Sequence, residues 1–195
     1  MRETEITVEL VDGAQNFIEL MQKHGFELTE TCRLTDYYYS KYSLNELLEF
    51  SYEDLIRNSF LVRHASGNHE QYQLVYKDKT LDKDGNVISE EKVKCDVTSL
   101  ESVLKIFDLT KLTCWCYMPQ SLSFYKKGEV EFILQEVDGL GVFLEFEETA
   151  SMQHLTEQQK IDKMLEYLKE LGLNFGKDYS CKKVYLKFLK DNNRN

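Results

Sequence analysis

Proline is almost missing from this chain, at one residue in 195, and glycine is sparse at nine. Collagen-like repeats and disordered low-complexity chains need far more of both, so neither reading stands. Positive charge is short as well. Lys and Arg number 24 against 34 Asp and Glu, a formal net charge of −10, and a nucleic-acid surface or an anionic membrane partner would need clustered basic residues. No apolar run approaches the roughly 20 residues that cross a bilayer, and the opening MRETEITVEL carries neither a basic leader nor a cleavage site. The expectation is a soluble protein. Five cysteines, Cys32, Cys95, Cys114, Cys116 and Cys181, form an odd set without paired spacing, which suits free thiols in a cytoplasm better than a disulfide framework.

What is present is a globular composition, 42% hydrophobic and 30% charged. At this length one domain is the default, and a core can form without staples. Glu3 to Leu10 alternates polar with apolar and reads as a strand with one wet face. A helix follows over Ala14 to His24, stopped by Gly25, and then a strand over Glu27 to Ser40. Leu44 to Ile56 reads as helical. Strands return at Phe60 to His64, Gln71 to Lys77 and Val87 to Val97, with turn residues between them. Leu100 to Phe107 reads as a short helix, Leu112 to Tyr117 and Leu122 to Lys126 as two extended pieces, and Glu129 to Val137 and Val142 to Glu148 as a closing hairpin. Thr156 to Leu171 and Val184 to Leu189 complete a helical tail. About eight strands against a few helices predict an α+β domain built round a curved sheet.

The chemistry concentrates at the two ends of that sheet. Glu3 and Glu5 share a face by their spacing of two, and Glu145 and Glu147 repeat the pattern while Leu144 and Phe146 point the other way. Four converging carboxylates would suit Mg²⁺ or Mn²⁺ bound together with substrate phosphates. Spacing alone leaves two unrelated solvent faces open. Other candidates are weaker. Cys114-x-Cys116 has no second pair at zinc spacing, the four histidines are scattered, and Asp82-x-Asp84-Gly85-Asn86 lacks the distal acid of a calcium loop.

The N-terminal Glu3-x-Glu5, the strand with Asp36-x-Tyr38, the strand ending at Arg63, Val75-Tyr76-Lys77, and Val137-x-Gly139-Leu140-Gly141-x-Phe143-Leu144-Glu145-x-Glu147 together resemble the CYTH domain. This is the family of triphosphate tunnel metalloenzymes that includes class IV adenylate cyclases and thiamine triphosphatases. The resemblance implies an eight-stranded antiparallel β-barrel with flanking helices, its core over about 1–150 and a helical tail over 151–195. It also implies a lumen that binds a triphosphate with basic side chains and divalent cations with acidic ones. The family pattern places basic residues where this chain has Thr7 and Leu61, and a basic strand where it has Gln120, Ser121 and Leu122; an acid is replaced by Gln135. In the segment Glu90-x-Lys92-x-Lys94 the charges are inverted, and a shift of one residue would use Glu91 instead.

The expected site therefore has Glu3, Glu5, Glu145 and Glu147 for Mg²⁺ or Mn²⁺, with at least one carboxyl raised in pKa by its neighbours. Arg63, Lys77, Lys92 and Lys94 would meet phosphate oxygens, Arg through a bidentate fork and Lys as point charges. A surface role for each of these cations also stays open. The expected function is metal-dependent cyclisation of ATP to cyclic AMP, or hydrolysis of a nucleoside, thiamine or inorganic triphosphate. The alternative is a catalytically weakened CYTH-fold module that binds a phosphorylated ligand or a partner. No nucleic acid or membrane partner is expected, and a homodimer is left open.

Overall fold

The computed structural model describes residues 3–180 and 182–193. Its elements run β1 (Glu5–Glu9), α1 (Gly13–Lys23), β2 (Glu27–Ser40), α2 (Leu44–Leu47), α3 (Tyr52–Arg57), β3 (Phe60–Ser66), β4 (Gln71–Leu81) and β5 (Val87–Asp96). They continue with α4 (Leu100–Leu109), β6 (Thr113–Lys127), β7 (Val130–Val137), β8 (Gly141–Glu147), α5 (Glu157–Glu170) and α6 (Lys183–Asp191). The eight strands form one antiparallel sheet in the order β1-β8-β7-β6-β2-β3-β4-β5. The fold is α+β, a curled sheet flanked by helices.

The curl brings the edge strands together at a single antiparallel bridge, Glu3 with Glu90, rather than along a ladder. Past that bridge the free edge of β1 is taken by the segment after α5. Thr7 donates its N–H to the Tyr179 carbonyl, Val11 donates to Asn174, and Gly176 donates to Glu9. Backbone groups left open on an edge strand invite pairing with another chain, and this segment covers them. Nothing in its sequence marked it as part of the sheet.

Parity decides what each face does. Ile6, Val8, Leu134, Leu144 and Phe146 point outward and are buried against Phe17 and Met21 of α1 and Ile161, Met164 and Leu168 of α5. Ile6, Val8, Leu144 and Phe146 thus lie beneath helices, on the face opposite the paired acids. Met118, Val137 and Phe143 point the other way and close one end of the enclosed space, packed with Leu47, Leu55, Val184 and Phe188 from α2, α3 and α6.

Three elements differ from the sequence reading. Leu44 to Ile56 is two short helices, because Ser51 accepts from the Asp54 N–H and starts a second cap after that of Ser43. The two pieces read at Leu112 to Tyr117 and Leu122 to Lys126 are one strand, β6, running through Pro119. Its carbonyl accepts from Asp138 on the side where β7 has ended, so the N–H that proline lacks would have faced no ladder. β4 runs on to Leu81, which carries Lys79 onto the same face as Lys77. Cys32, Cys95, Cys114 and Cys116 are free thiols, and Cys181 lies outside the described residues. Among the described residues no helix is long and apolar enough to cross a membrane.

Phe132 is fully buried, with ring centroids 5.1 Å from Phe26, 4.8 Å from Phe146 and 6.2 Å from Tyr167. Phe132→Ala should therefore cost about 3–5 kcal/mol in urea unfolding, with an unchanged slope. A loss under about 1 kcal/mol would mean that the outer core does not hold the sheet to its helices.

Candidate active site

The inner face of the sheet encloses a cavity of about 330 Å³. Alternation puts Glu5, Lys77, Lys92, Glu145 and Glu147, from β1, β4, β5 and β8, on one wall. The opposite wall is mostly apolar, built from Leu34, Leu61, Leu122, Phe124 and Ile133 of β2, β3, β6 and β7, with the paired Asp36 and Arg63 and the amides of Gln120 and Gln135 set into it. One space therefore offers a charged side and a greasy side.

The carboxylates of Glu5, Glu145 and Glu147 converge, one oxygen from each lying within 4.8 Å of the other two. Pairing explains this, because β1 and β8 set Glu5 opposite Glu147 and Thr7 opposite Glu145. Glu3 belongs to the same surroundings but stands apart, its carboxylate half exposed and 3.9 Å from the Lys92 ammonium. Burial, and then the neighbouring Glu145 and Glu90 charges, push the Glu5 carboxyl above the usual range. Burial raises Glu147 too, with Lys92 opposing and Glu145, Glu5 and Glu3 adding to the rise. Glu145 goes the other way. Burial would raise it, but Lys183, Lys77, Lys92 and a hydrogen bond from Gln135 hold it below the carboxylate range.

Lys92 lies among these acids. Its ammonium is 2.9 Å from Glu5 and 2.9 Å from Glu90, and 3.7 Å from Glu147. Glu90, at the Lys79 position across β4 and β5, is buried and also meets Lys79 at 3.0 Å and Lys77 at 3.7 Å. Burial would raise the Glu90 carboxyl, and the three ammonium groups reverse that and hold it far below. Burial lowers Lys77, with Glu90 opposing. The register left open in the sequence is settled here: Glu90 faces inward and Glu91 is exposed.

Arg63 also lines the cavity, but its fork is taken. Nε and Nη2 donate to the two oxygens of buried Asp36, each at 2.8 Å, because β2 and β3 place the two residues directly opposite. Lys94 lines the cavity from an exposed position. Three participants were missed by the sequence reading. Lys79 was lost with the early end of its strand, although the period of two from Lys77 pointed to it. Glu90 was quoted in a motif without a role. Lys183 comes from the tail helix α6, where no local signal exists; its ammonium donates to the Gln135 side-chain oxygen Oε1 and lies 3.6 Å from Glu145.

No family model matches the chain. A protein of Methanocaldococcus jannaschii named as a "putative adenylate cyclase" is 28% identical over 187 residues, spanning 95% of this chain and 97% of its own. Among solved structures, a Pyrococcus horikoshii protein superposes with a TM-score of 0.69 at 18% identity, over 97% of this chain and 99% of that one. A Vibrio parahaemolyticus protein titled as a "putative adenylate cyclase" gives a TM-score of 0.59 at 15% identity, over 88% and 89%. At these identities the structures show a shared fold. Together with the curled antiparallel sheet, they fit the CYTH-like fold that the sequence motifs resemble.

Removing Lys92 leaves Glu5 buried beside two other carboxylates, and breaking such a buried pair costs about 3–5 kcal/mol. Lys92→Met should lose that much in urea unfolding at pH 7. Glu5 is raised in the folded state above its ordinary 4.5, so the deficit should be full above the folded pKa and shrink as pH falls toward 4.5. A deficit that is the same at pH 7 and pH 5 would point to lost packing of the lysine stem instead.

Proposed function

We propose that this chain is an adenylate cyclase-like enzyme that holds ATP inside the curled sheet and converts it to cyclic AMP and pyrophosphate. The observation that carries this reading is the convergence of Glu5, Glu145 and Glu147 within 4.8 Å, beside Lys77 and Lys92 and across from an apolar wall. The archaeal relative's name supports it over hydrolysis, and the apolar wall supports an organic triphosphate over an inorganic one. In this reading the sheet acts as a closed barrel, with its seam bridged at Glu3 and Glu90 and covered by residues 174–180. The free thiols support a cytoplasmic setting.

The donor set fits a divalent cation. Three carboxylates at this density are hard oxygen ligands, and Glu5 and Glu147 are raised first by burial and then by the neighbouring acids, a cost that a cation would offset. Glu5, Glu145 and Glu147 would hold Mg²⁺ or Mn²⁺, with Glu3 at its margin. When bound, the ion supplies charge neutralisation at the phosphate oxygens and polarises phosphorus. The remaining work falls to the chain. Lys77, Lys79 and Lys92, locked in place by Glu90, present ammonium groups to non-bridging oxygens, so stabilisation of the developing charge needs little reorganisation. Lys94 would add a point charge at the margin. The apolar wall seats the nucleoside and excludes water, favouring the ribose hydroxyl as nucleophile. The 3′-oxygen bonds to the α-phosphorus as the bond from that phosphorus to the bridging oxygen breaks. That oxygen leaves with pyrophosphate, which takes up the hydroxyl proton.

A second reading rests on the saturation of the cations. Arg63 is bound by Asp36, and Lys77, Lys79 and Lys92 share Glu90, which suits a weakened binding module. Incubating the purified protein with ATP, thiamine triphosphate and tripolyphosphate, each with Mg²⁺ or Mn²⁺, and resolving the products separates the two. Cyclic AMP and pyrophosphate from ATP support the cyclase. Binding without turnover supports the module, and orthophosphate release supports a triphosphatase instead.

The double variant Glu5→Gln with Glu147→Gln removes two of the three converging carboxylates together with the acids that Lys92 reaches across the seam, so its melting temperature without metal serves as its own baseline. It should lose the rise in melting temperature that Mg²⁺ or Mn²⁺ gives the parent. If the full rise persists, the cation binds elsewhere.

A further inference from the structure

Gln120 is 2% exposed and lines the cavity from β6, yet among the described residues nothing donates to its side-chain oxygen. It sits opposite Leu34 of β2 and Val137 of β7, and its neighbours on the same face of β6 are the buried Met118 and Leu122. A second buried glutamine in the same cavity shows the contrast. Gln135, across from Leu122, spends its amide on Glu145 and its oxygen on Lys183. Native structures keep few buried acceptors without a donor, since burial removes the water that would have served them. Gln120 therefore carries hydrogen-bonding capacity that the fold itself does not use.

The position of this capacity narrows the ligand. The lysines and the Glu5, Glu145 and Glu147 carboxylates occupy the β1, β4, β5 and β8 wall, whereas Gln120 stands on the opposite wall among Leu34, Met118 and Leu122, where the nearby charge of Asp36 is matched by Arg63. The resemblance to CYTH domains would place a basic strand here, which could meet phosphate by charge; a neutral carboxamide cannot. A carboxamide offers one acceptor and one donor side by side. Its complement is a heterocycle edge with an amino group next to a ring nitrogen, the pairing by which Gln reads adenine.

Resting on the triphosphate reading above, we infer that Gln120 is a specificity-determining residue that binds the amino-heterocycle end of the substrate. Adenine and the aminopyrimidine of thiamine share that edge. Phosphates would lie along the lysine and carboxylate wall while the ring slides between Leu34, Leu122 and Phe124, with its polar edge toward Gln120.

The test measures dissociation constants by calorimetry, with Mg²⁺, for the α,β-methylene analogue of ATP, for thiamine triphosphate and for tripolyphosphate. It compares the parent with Gln120→Leu, and with Gln120→Met should the first fail to fold. Leucine among Leu34, Met118 and Leu122 removes an unused acceptor, so the melting temperature should hold or rise. Affinity for one of the ring-bearing probes should fall about tenfold or more, as expected for a lost bidentate contact. Tripolyphosphate affinity should stay within about twofold, since no charge is altered. A loss confined to the ATP analogue assigns adenine, and one confined to thiamine triphosphate assigns the aminopyrimidine. An equal loss on tripolyphosphate would mean that Gln120 meets phosphate, and unchanged affinities would mean that a water satisfies it; either overturns the inference. If the parent binds none of the three probes, the triphosphate reading fails first and this one with it.

Discussion

Glu90 and the three ammonium groups of Lys77, Lys79 and Lys92 form the interaction on which the interior depends. A buried carboxylate or ammonium standing alone would be neutralised or would open the sheet, because leaving water costs several kcal/mol per ion, of order. Charges of one sign could not be stacked on neighbouring strands. β4 and β5 place Lys77 directly opposite Lys92, a like-charge pair that is unfavourable on its own. Glu90, one step along the same face opposite Lys79, reverses that. The same residue makes the single backbone bridge to Glu3, so the charge knot and the seam of the sheet coincide.

Lys92 then extends the knot across the seam. Its contacts to Glu5 and Glu147 join β5 to β1 and β8, strands that share no continuous ladder with it. Lys183 does the same from α6, reaching Gln135 and Glu145. The curl of the sheet is thus held from outside by apolar packing on α1 and α5, and from inside by ions bridging strands that the backbone leaves apart. Side chains that neutralise the acids are also those that would face phosphates.

Much of this was legible where a period of two was enough. The outward Ile6, Val8, Leu144 and Phe146 and the inward Glu5, Glu145 and Glu147 follow from alternation, and the parity of a strand is fixed once one face is buried. Partners across strands were not legible, because register is a property of the assembled sheet. Asp36 was visible in its motif and Arg63 in another, but only the β2–β3 register shows that each consumes the other. Lys92 read as a free phosphate cation for the same reason. Lys183 and residues 174–180 lay further from reach, since their place is set by the path of the chain after α5. Pro119 hid a continuous strand, because its harmlessness depends on where β7 stops.

The balance of charge in the cavity has a thermodynamic consequence for the proposed reaction. A triphosphate entering alone would meet lysines already matched by Glu90 and Glu5, and it would add negative charge beside Glu145 and Glu147. A divalent cation entering alone would meet carboxylates already serving Lys92 and Lys183, and would have to displace those ammonium groups. With both present, Glu5 and Glu145 would turn to the cation, and Lys92 and Lys183, released from them, would face the phosphates, so each ligand would remove the penalty opposing the other. Under the proposed function, binding of metal and triphosphate would be positively coupled, and by linkage each would tighten the other by the same factor. Saturated cations are therefore compatible with a working site as well as with a weakened one, since their carboxylate partners would be the groups that a cation takes, and no charge would be left uncompensated in the exchange.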